Sequence, residues 1–269
     1  MATSPATTSL ALRGWLLTFA AIALLVFGLW HLGFSFTKFL AGLGSLGNFV
    51  VLMFPPDYGD TASLMRYVRA LGETVAIALL GTMLAAIIAF PLSLIAARNT
   101  TVSQILRFFA RRSFDTLRGV DTLVWALIWV NVVGLGPFAG VLAIAISDIG
   151  SFGKLFSEAI EASDKRPVEG VVASGGSRLH AIRFGILPQV APVLISQYLY
   201  YFESNTRSAT IIGIVGAGGI GLQLTEQIRT LEWQTVCFII IMILVTVSVI
   251  DMISSRLRMA IAGPVAYRA

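Results

Sequence analysis

The sequence predicts an all-α membrane protein with six transmembrane helices. Of its 269 residues 57% are hydrophobic and only 12% charged, apolar stretches of spanning length recur along it, and the basic residues between those stretches alternate in density. A helix needs about 20 mainly apolar residues to cross a bilayer core. Stretches near that length lie at 15–32, 74–97, 122–135, 138–156, 190–204 and 235–254; the third and fifth are short and must borrow flanking residues. The first holds an apolar run too long for a cleavable signal core and reads as a retained helix.

Six spans place both termini on one side, and the charge distribution tests that count. One set of loops and ends carries Arg13, then Arg98, Arg107, Arg111, Arg112 and Arg118, then Lys154, Lys165, Arg166, Arg178 and Arg183, then Arg256, Arg258 and Arg268. The other carries Lys38, Arg66, Arg69, Arg207 and Arg229. Fourteen basic residues against five assign the first set, and both termini, to the cytoplasm. Between the first two spans Phe36, Phe39, Leu43, Leu46 and Val50 repeat at helical spacing opposite Lys38, Ser45 and Asn48. That pattern suits a helix lying in the outer interface and stopped by Pro55 and Pro56. A seventh span there would invert every later loop.

Composition also excludes several functions. A single cysteine, Cys237, allows no internal disulfide, and two distant histidines, His31 and His180, offer no metal site. The net charge of +5 is scattered, with no aromatic-basic patch for nucleic acid. The stretch IVGAGGIG, residues 214–221, matches the dinucleotide fingerprint G-x-G-x-x-G. That fingerprint needs a βαβ unit with an acidic residue about 20 positions on. Here TEQIRTLEWQ leads straight into the last apolar span, and no Walker A sequence occurs anywhere. No cofactor is expected on this chain. Gly216, Gly218, Gly219 and Gly221 instead predict a broken, closely packed segment on the outer side, read as a gate or re-entrant element.

The longest cytoplasmic loop, residues 157–189, is too patterned for a linker. Helix-favouring residues flank Gly175 and Gly176, which predicts two short helices joined at a sharp turn, and Pro188 suits the first turn of the next span. Glu169, Gly175, Leu187 and Pro188 follow the spacing of the EAA loop, and with it the sequence resembles ABC importer permeases. Gly170 and Val171 stand where that pattern has alanines, and Gly185 where it usually has isoleucine. MFPPD at 53–57 and ESNTRSATIIGIVGAGGIGLQL at 203–224 narrow the resemblance to the phosphonate-importer permease, over most of the chain.

The resemblance implies a type I importer fold with an outer interfacial helix and a cytoplasmic coupling loop. It also implies a pair of permease subunits, read as a homodimer, two cytoplasmic ABC ATPases holding ATP and Mg, and an external binding protein. Glu169, Ala173, Ser174, Gly175, Gly176, Ser177, Arg178, Leu187 and Pro188 would then couple to the ATPases, with a short docking helix over 171–177. Glu169 has Arg178 and Arg183 as candidate partners. The chain divides accordingly into a tail and first helix (1–33), the interfacial segment (34–72), a five-helix core (73–256) and a cytoplasmic tail (257–269).

Polar residues inside spans are candidates for a pathway. Asp121 and Asp251 lie near span ends and read as structural. Asn131 and Asp148 suit either a polar path or hydrogen bonds within the bundle. Arg207, beside Ser208 at the expected outer end of the fifth span, suits either an anionic substrate or the simpler pairing with Glu203 four residues earlier. An ion-gradient carrier or channel is the competing function, and the repeated halves it would show are missing from the sequence.

Overall fold

The computed structural model describes residues 5–262, with side chains from 14 to 261. The remainder of the expected cytoplasmic tail, 263–269 with Arg268, and residues 1–4 lie outside the described residues. The chain forms two compact units, 1–54 and 55–269. In the first, α1 (Pro5–His31) and α2 (Phe36–Leu52) are joined through Gly33, whose φ of +66° turns the chain. Met53 caps α2 two residues ahead of Pro55 and Pro56.

The second unit is a helical bundle, without strands among the described residues. It consists of α3 (Thr61–Ala96), α4 (Gln104–Arg118), α5 (Thr122–Val133), α6 (Pro137–Glu161), α7 (Lys165–Ala173), α8 (Arg178–His180), α9 (Leu187–Ile214), α10 (Ile220–Arg229) and α11 (Trp233–Ala262). A π turn, Ala181–Ile186, leads into α9. Asp60 caps α3 by accepting from the Ser63 N–H at 2.8 Å. The Ser63 hydroxyl and N–H hold the Asp60 carboxyl below the usual carboxylate range. The cap is therefore in place at neutral pH and is lost only as pH falls through that lowered value.

Among the described residues five helical stretches are long and apolar enough to cross a membrane. The third expected span, 122–135, is α5, only 12 residues and about 18 Å long. It crosses only in combination with α4, to which it is bent by 88°. The bend has a local cause: Gly119 ends α4 and Asp121 caps α5 through the Leu123 N–H. The fifth expected span also changes, because α9 continues ten residues past 204 to Ile214.

The bundle is built on α3, α6 and α9. At one end Ala85, Ala89, Phe152, Phe156, Ile186 and Val190 form a core; toward the other, Ile77, Ala78, Ala143, Ile144, Ala209 and Ile212 form a second. Small residues set the approach of the helices. A Cβ on Gly81 would sit 2.8 Å from Ile144, one on Gly140 would sit 2.6 Å from the Ala217 carbonyl, and one on Gly150 would sit 2.7 Å from the Phe114 carbonyl. Lipid tails offer no hydrophobic drive between helices, so close packing of this kind carries their association. Gly150→Val should therefore push α4 from α6 and cost about 1–3 kcal/mol. A thermal melt in detergent checks it against Gly72→Ala, where an added Cβ meets nothing within 4 Å and the midpoint is not lowered.

Candidate functional site

The predicted site residues do not converge on one pocket; they fall into three groups along the bundle. The first is the loop between α6 and α9. Asp164 caps α7, accepting from the Arg166 N–H. Gly175, at φ +84°, makes the turn into α8, where Ser177 caps the next helix and its hydroxyl meets His180 Nδ1 at 3.0 Å. The two expected short helices are present, but the first ends at Ala173 rather than running over 171–177. The physical reason is the turn itself: Gly176 donates to the Val171 carbonyl at 2.9 Å, so residues 174–176 close the helix instead of extending it.

The loop is tied to the bundle at both ends. Gln189 on α9 donates to the carbonyls of Asp164 and Gly185 and accepts from the Asp164 N–H. Arg178 donates to the carbonyls of Thr100, at 2.7 Å, and Thr101, just past α3. Gly185, the departure from the EAA pattern, lies directly under Val168; a Cβ there would come within 3.0 Å of it. Leu187 and Pro188 form the first turn of α9. Glu169, Ala173, Ser174, Ser177 and Arg178 are exposed. Glu169 pairs with neither expected arginine among the described contacts, because Arg178 is occupied by backbone carbonyls and Arg183 lies over the Phe184 ring at 5.4 Å.

Near this end Glu161, at the close of α6, gathers the Arg98 N–H at 2.7 Å, Arg111 at 2.9 Å and Arg107 at 3.5 Å. Both arginines also donate to the Ala96 carbonyl that ends α3. Counting charges for topology gave no hint of this clasp, since its partners are 50 to 63 residues apart in sequence.

The second group is polar and internal. Asn205 on α9 donates to Thr82 on α3 at 2.7 Å and to Asp148 on α6, and all three are buried. Asp148 thus makes the interhelical hydrogen bond that was one of its two expected roles. Ser147, beside it, receives Thr122 from α5 at 3.0 Å. Asn131 bonds back to the Leu127 carbonyl of its own helix.

Arg207 pairs with Glu203, its simpler expected partner, at 3.2 Å. The placement of this cluster needs correction. Glu203 also holds Arg258 of α11 at 3.1 Å, so an arginine counted outside and one counted inside share one carboxylate. The reason is the length of α9: with its end at Ile214, residues 203–210 lie within the helix and not at its mouth.

The third group is the glycine-rich break between α9 and α10. Gly216, Gly218 and Gly219 have φ of +93°, +83° and +75°, a region that side chains disfavour. The segment from Gly216 to Gly221 is buried against α3 and the start of α6. Glu73 on α3 accepts the Gly219 N–H at 3.2 Å and Thr74 accepts the Ile220 N–H at 2.8 Å, which satisfies donors the new helix leaves open. Gly136 donates to the Gly216 carbonyl at 2.9 Å. Gly221 packs on Gly213, where a Cβ would strike the Thr210 carbonyl. Gly216, Glu226 and Arg229 line a cavity of about 690 Å³ beside this break. Sequence reasoning found the glycines but not Glu73 and Thr74, which read only as the edge of a span.

Residues 89–262 match the family described as binding-protein-dependent transport system inner membrane component. The chain belongs to this family. The permease is 45% identical over 83% of its length to HtxC of Stutzerimonas stutzeri, which carries the provisional name of a phosphite transport system permease, and covers 78% of that protein. It is 35% identical to the phosphite transport system permease protein PtxC of the same organism, over 91% of this chain and 90% of that one. A phosphate-import permease protein, PhnE of Mycolicibacterium smegmatis, is 34% identical over 87% of this chain and 44% of its own length.

Among solved structures, the permease fold matches an inward-facing MetNI methionine ABC transporter with a TM-score of 0.63 at 16% identity, over 76% of this chain and 99% of that one. An amino acid ABC transporter matches with a TM-score of 0.56 at 20% identity, over 74% and 98%. The fold is that of type I ABC importer permeases, and the protein is a multi-pass inner-membrane transport subunit rather than an enzyme.

Gly219 tests the third group. Gly219→Ala sets a Cβ against the Thr74 hydroxyl in a backbone region almost reserved for glycine, at a cost of about 1–3 kcal/mol. Amide exchange should quicken across 215–222, while exchange in α7 stays as it was.

Proposed function

We propose that this permease is the membrane subunit of an ATP-driven importer for phosphonate or a related phosphorus oxyanion. Membership of the family and the names of the relatives support the transport role and the substrate class. The observation that carries the mechanism is the loop: a rigid α7–turn–α8 projection, tied to α3 through Arg178 and to α9 through Gln189. A coupling element must pass a partner's motion to the spanning helices, and these two ties lead to two of the three core helices. Val172, Leu179 and Phe184 stand exposed on and beside the projection, apolar side chains suited to burial in a cleft.

In this reading Glu169, Ala173, Ser174, Gly175, Gly176, Ser177 and Arg178 meet the ATPases, with Leu187 and Pro188 anchoring the loop. Two ABC ATPase subunits on the cytoplasmic side hold ATP and Mg, and this chain binds no cofactor. An external binding protein delivers the anion, and two copies of the permease pair in the membrane. Both termini lie in the cytoplasm, with α4 and α5 counted as one bent crossing. Gly216, Gly218, Gly219 and Gly221 form a gate at the far end, and the helices bearing Asn131, Asp148, Arg207 and Ser208 border the path.

Two experiments test this. Gly175→Val meets no neighbour within 4 Å, so its penalty is the forced φ alone. It should leave the protein inserted but uncouple ATP hydrolysis from uptake, measured as phosphorus transported per ATP in proteoliposomes; unchanged coupling would remove the loop from the mechanism. Uptake in vesicles supplied with ATP while the ion gradient is collapsed should continue. Its loss would favour the ion-driven carrier.

A further inference from the structure

The ion cluster on α9 is charged in a way its surroundings do not balance. Both oxygens of Glu203 are taken, Oε1 by Arg207 at 3.2 and 3.3 Å and Oε2 by Arg258 at 3.1 and 3.2 Å. Among the described residues no second carboxylate lies within ion-pair distance of either guanidinium. Two positive charges against one negative leave an excess of one positive charge. The carboxylate is 9% exposed, Arg258 25% and Arg207 49%. The open side of the cluster is thus a guanidinium whose remaining N–H donors are free to meet an oxyanion.

A half-exposed arginine on a spanning helix is disfavoured against lipid, and such groups face water, protein or a conduction path. Its neighbours agree. Along the same face of α9 lie Ser208, Ser204, Tyr200 and Gln197, at steps of three to four residues. Arg258 sits over the Tyr200 ring at 5.9 Å, and Tyr200 in turn lines a cavity of about 620 Å³.

We propose that this face of α9 borders a phosphorus-oxyanion path within the permease, in which Arg207 binds the anion. Arg258 is a positioning residue: it occupies the second oxygen of Glu203 and so leaves Arg207 incompletely neutralised. The inference rests on the import of phosphorus oxyanions by this protein and adds to it a recognition step by the membrane subunit itself.

The test uses the full-length permease assembled with its ATPase and binding protein in proteoliposomes, with radiolabelled methylphosphonate, phosphite and phosphate as probes. Arg207→Gln leaves a balanced Glu203–Arg258 pair, and copurification with the ATPase subunits reports that the fold is intact. Uptake should fall about tenfold or more, the scale of one lost charge-assisted contact. Arg207→Cys should recover uptake when modified with an aminoethyl thiosulfonate, which restores a cation, and not with a neutral methyl reagent; the native Cys237 is buried. Arg207→Gln within twofold of wild type, or equal recovery with both reagents, overturns the path.

A lipid phosphate is the other anion that Arg207 has the chemistry to bind. A defect of Arg207→Gln that appears only in anionic liposomes and vanishes in phosphatidylcholine would assign the site to a headgroup and overturn the proposal. Failure of the wild-type assembly to import any of the three probes strikes instead at the functional reading, and takes the path with it.

Discussion

A polar group inside this bundle has no water to turn to, and that constraint governs the rest of the structure. Its sharpest expression is the junction of α3 with the break between α9 and α10. A helix cannot be interrupted in an apolar medium unless the donors it frees are met from elsewhere in the protein. Glu73 and Thr74 meet them, taking the Gly219 and Ile220 N–H groups. With those acceptors in place, α10 can start in a new direction and α11 can return along α9. Glycine serves here because Gly216, Gly218 and Gly219 take left-handed backbone angles, and Gly218 and Gly221 lie directly against neighbouring backbone.

The same demand explains how the three core helices hold their register. Apolar contacts between α3, α6 and α9 are made through alanine and glycine, which allow close approach but specify little about alignment. The Asn205 bridge from Thr82 to Asp148 supplies alignment, because sliding any one helix strands a buried polar group. At the loop end Glu161 does the comparable work with arginines from α4 and the close of α3. The loop that projects beyond it therefore hangs from a framed end of the bundle, with Arg178 and Gln189 as its two ties.

Much of the fold was legible in one dimension because it rests on composition over about 20 residues. Runs of apolar side chains mark spans whatever their neighbours, and Gly175 and Gly176 mark a turn because backbone sterics are local. Span boundaries were less legible. The bend at Gly119–Asp121 hides a crossing made of two pieces, and Ser204 ended an apolar run without ending the helix that contains it. Of the site, the loop and the glycines were readable from spacing, and Asp148 and Arg207 were singled out as polar residues in apolar surroundings. Thr82, Glu73, Thr74 and Arg258 carried no signal, since each becomes significant only through a partner more than 50 residues away.

The sequence by itself determined that this chain lies in a membrane as a series of helices, that no βαβ pattern surrounds its glycine fingerprint, and where its patterned loop falls. These follow from short-range chemistry: hydropathy, backbone freedom and the spacing of a few residues. Only the tertiary structure decided what each internal polar group is for. It made Asp148 a bridge, gave Glu203 two arginines, and set Arg207 within a long helix instead of at its mouth. Such outcomes depend on which helices lie side by side, and no local property of the chain encodes that.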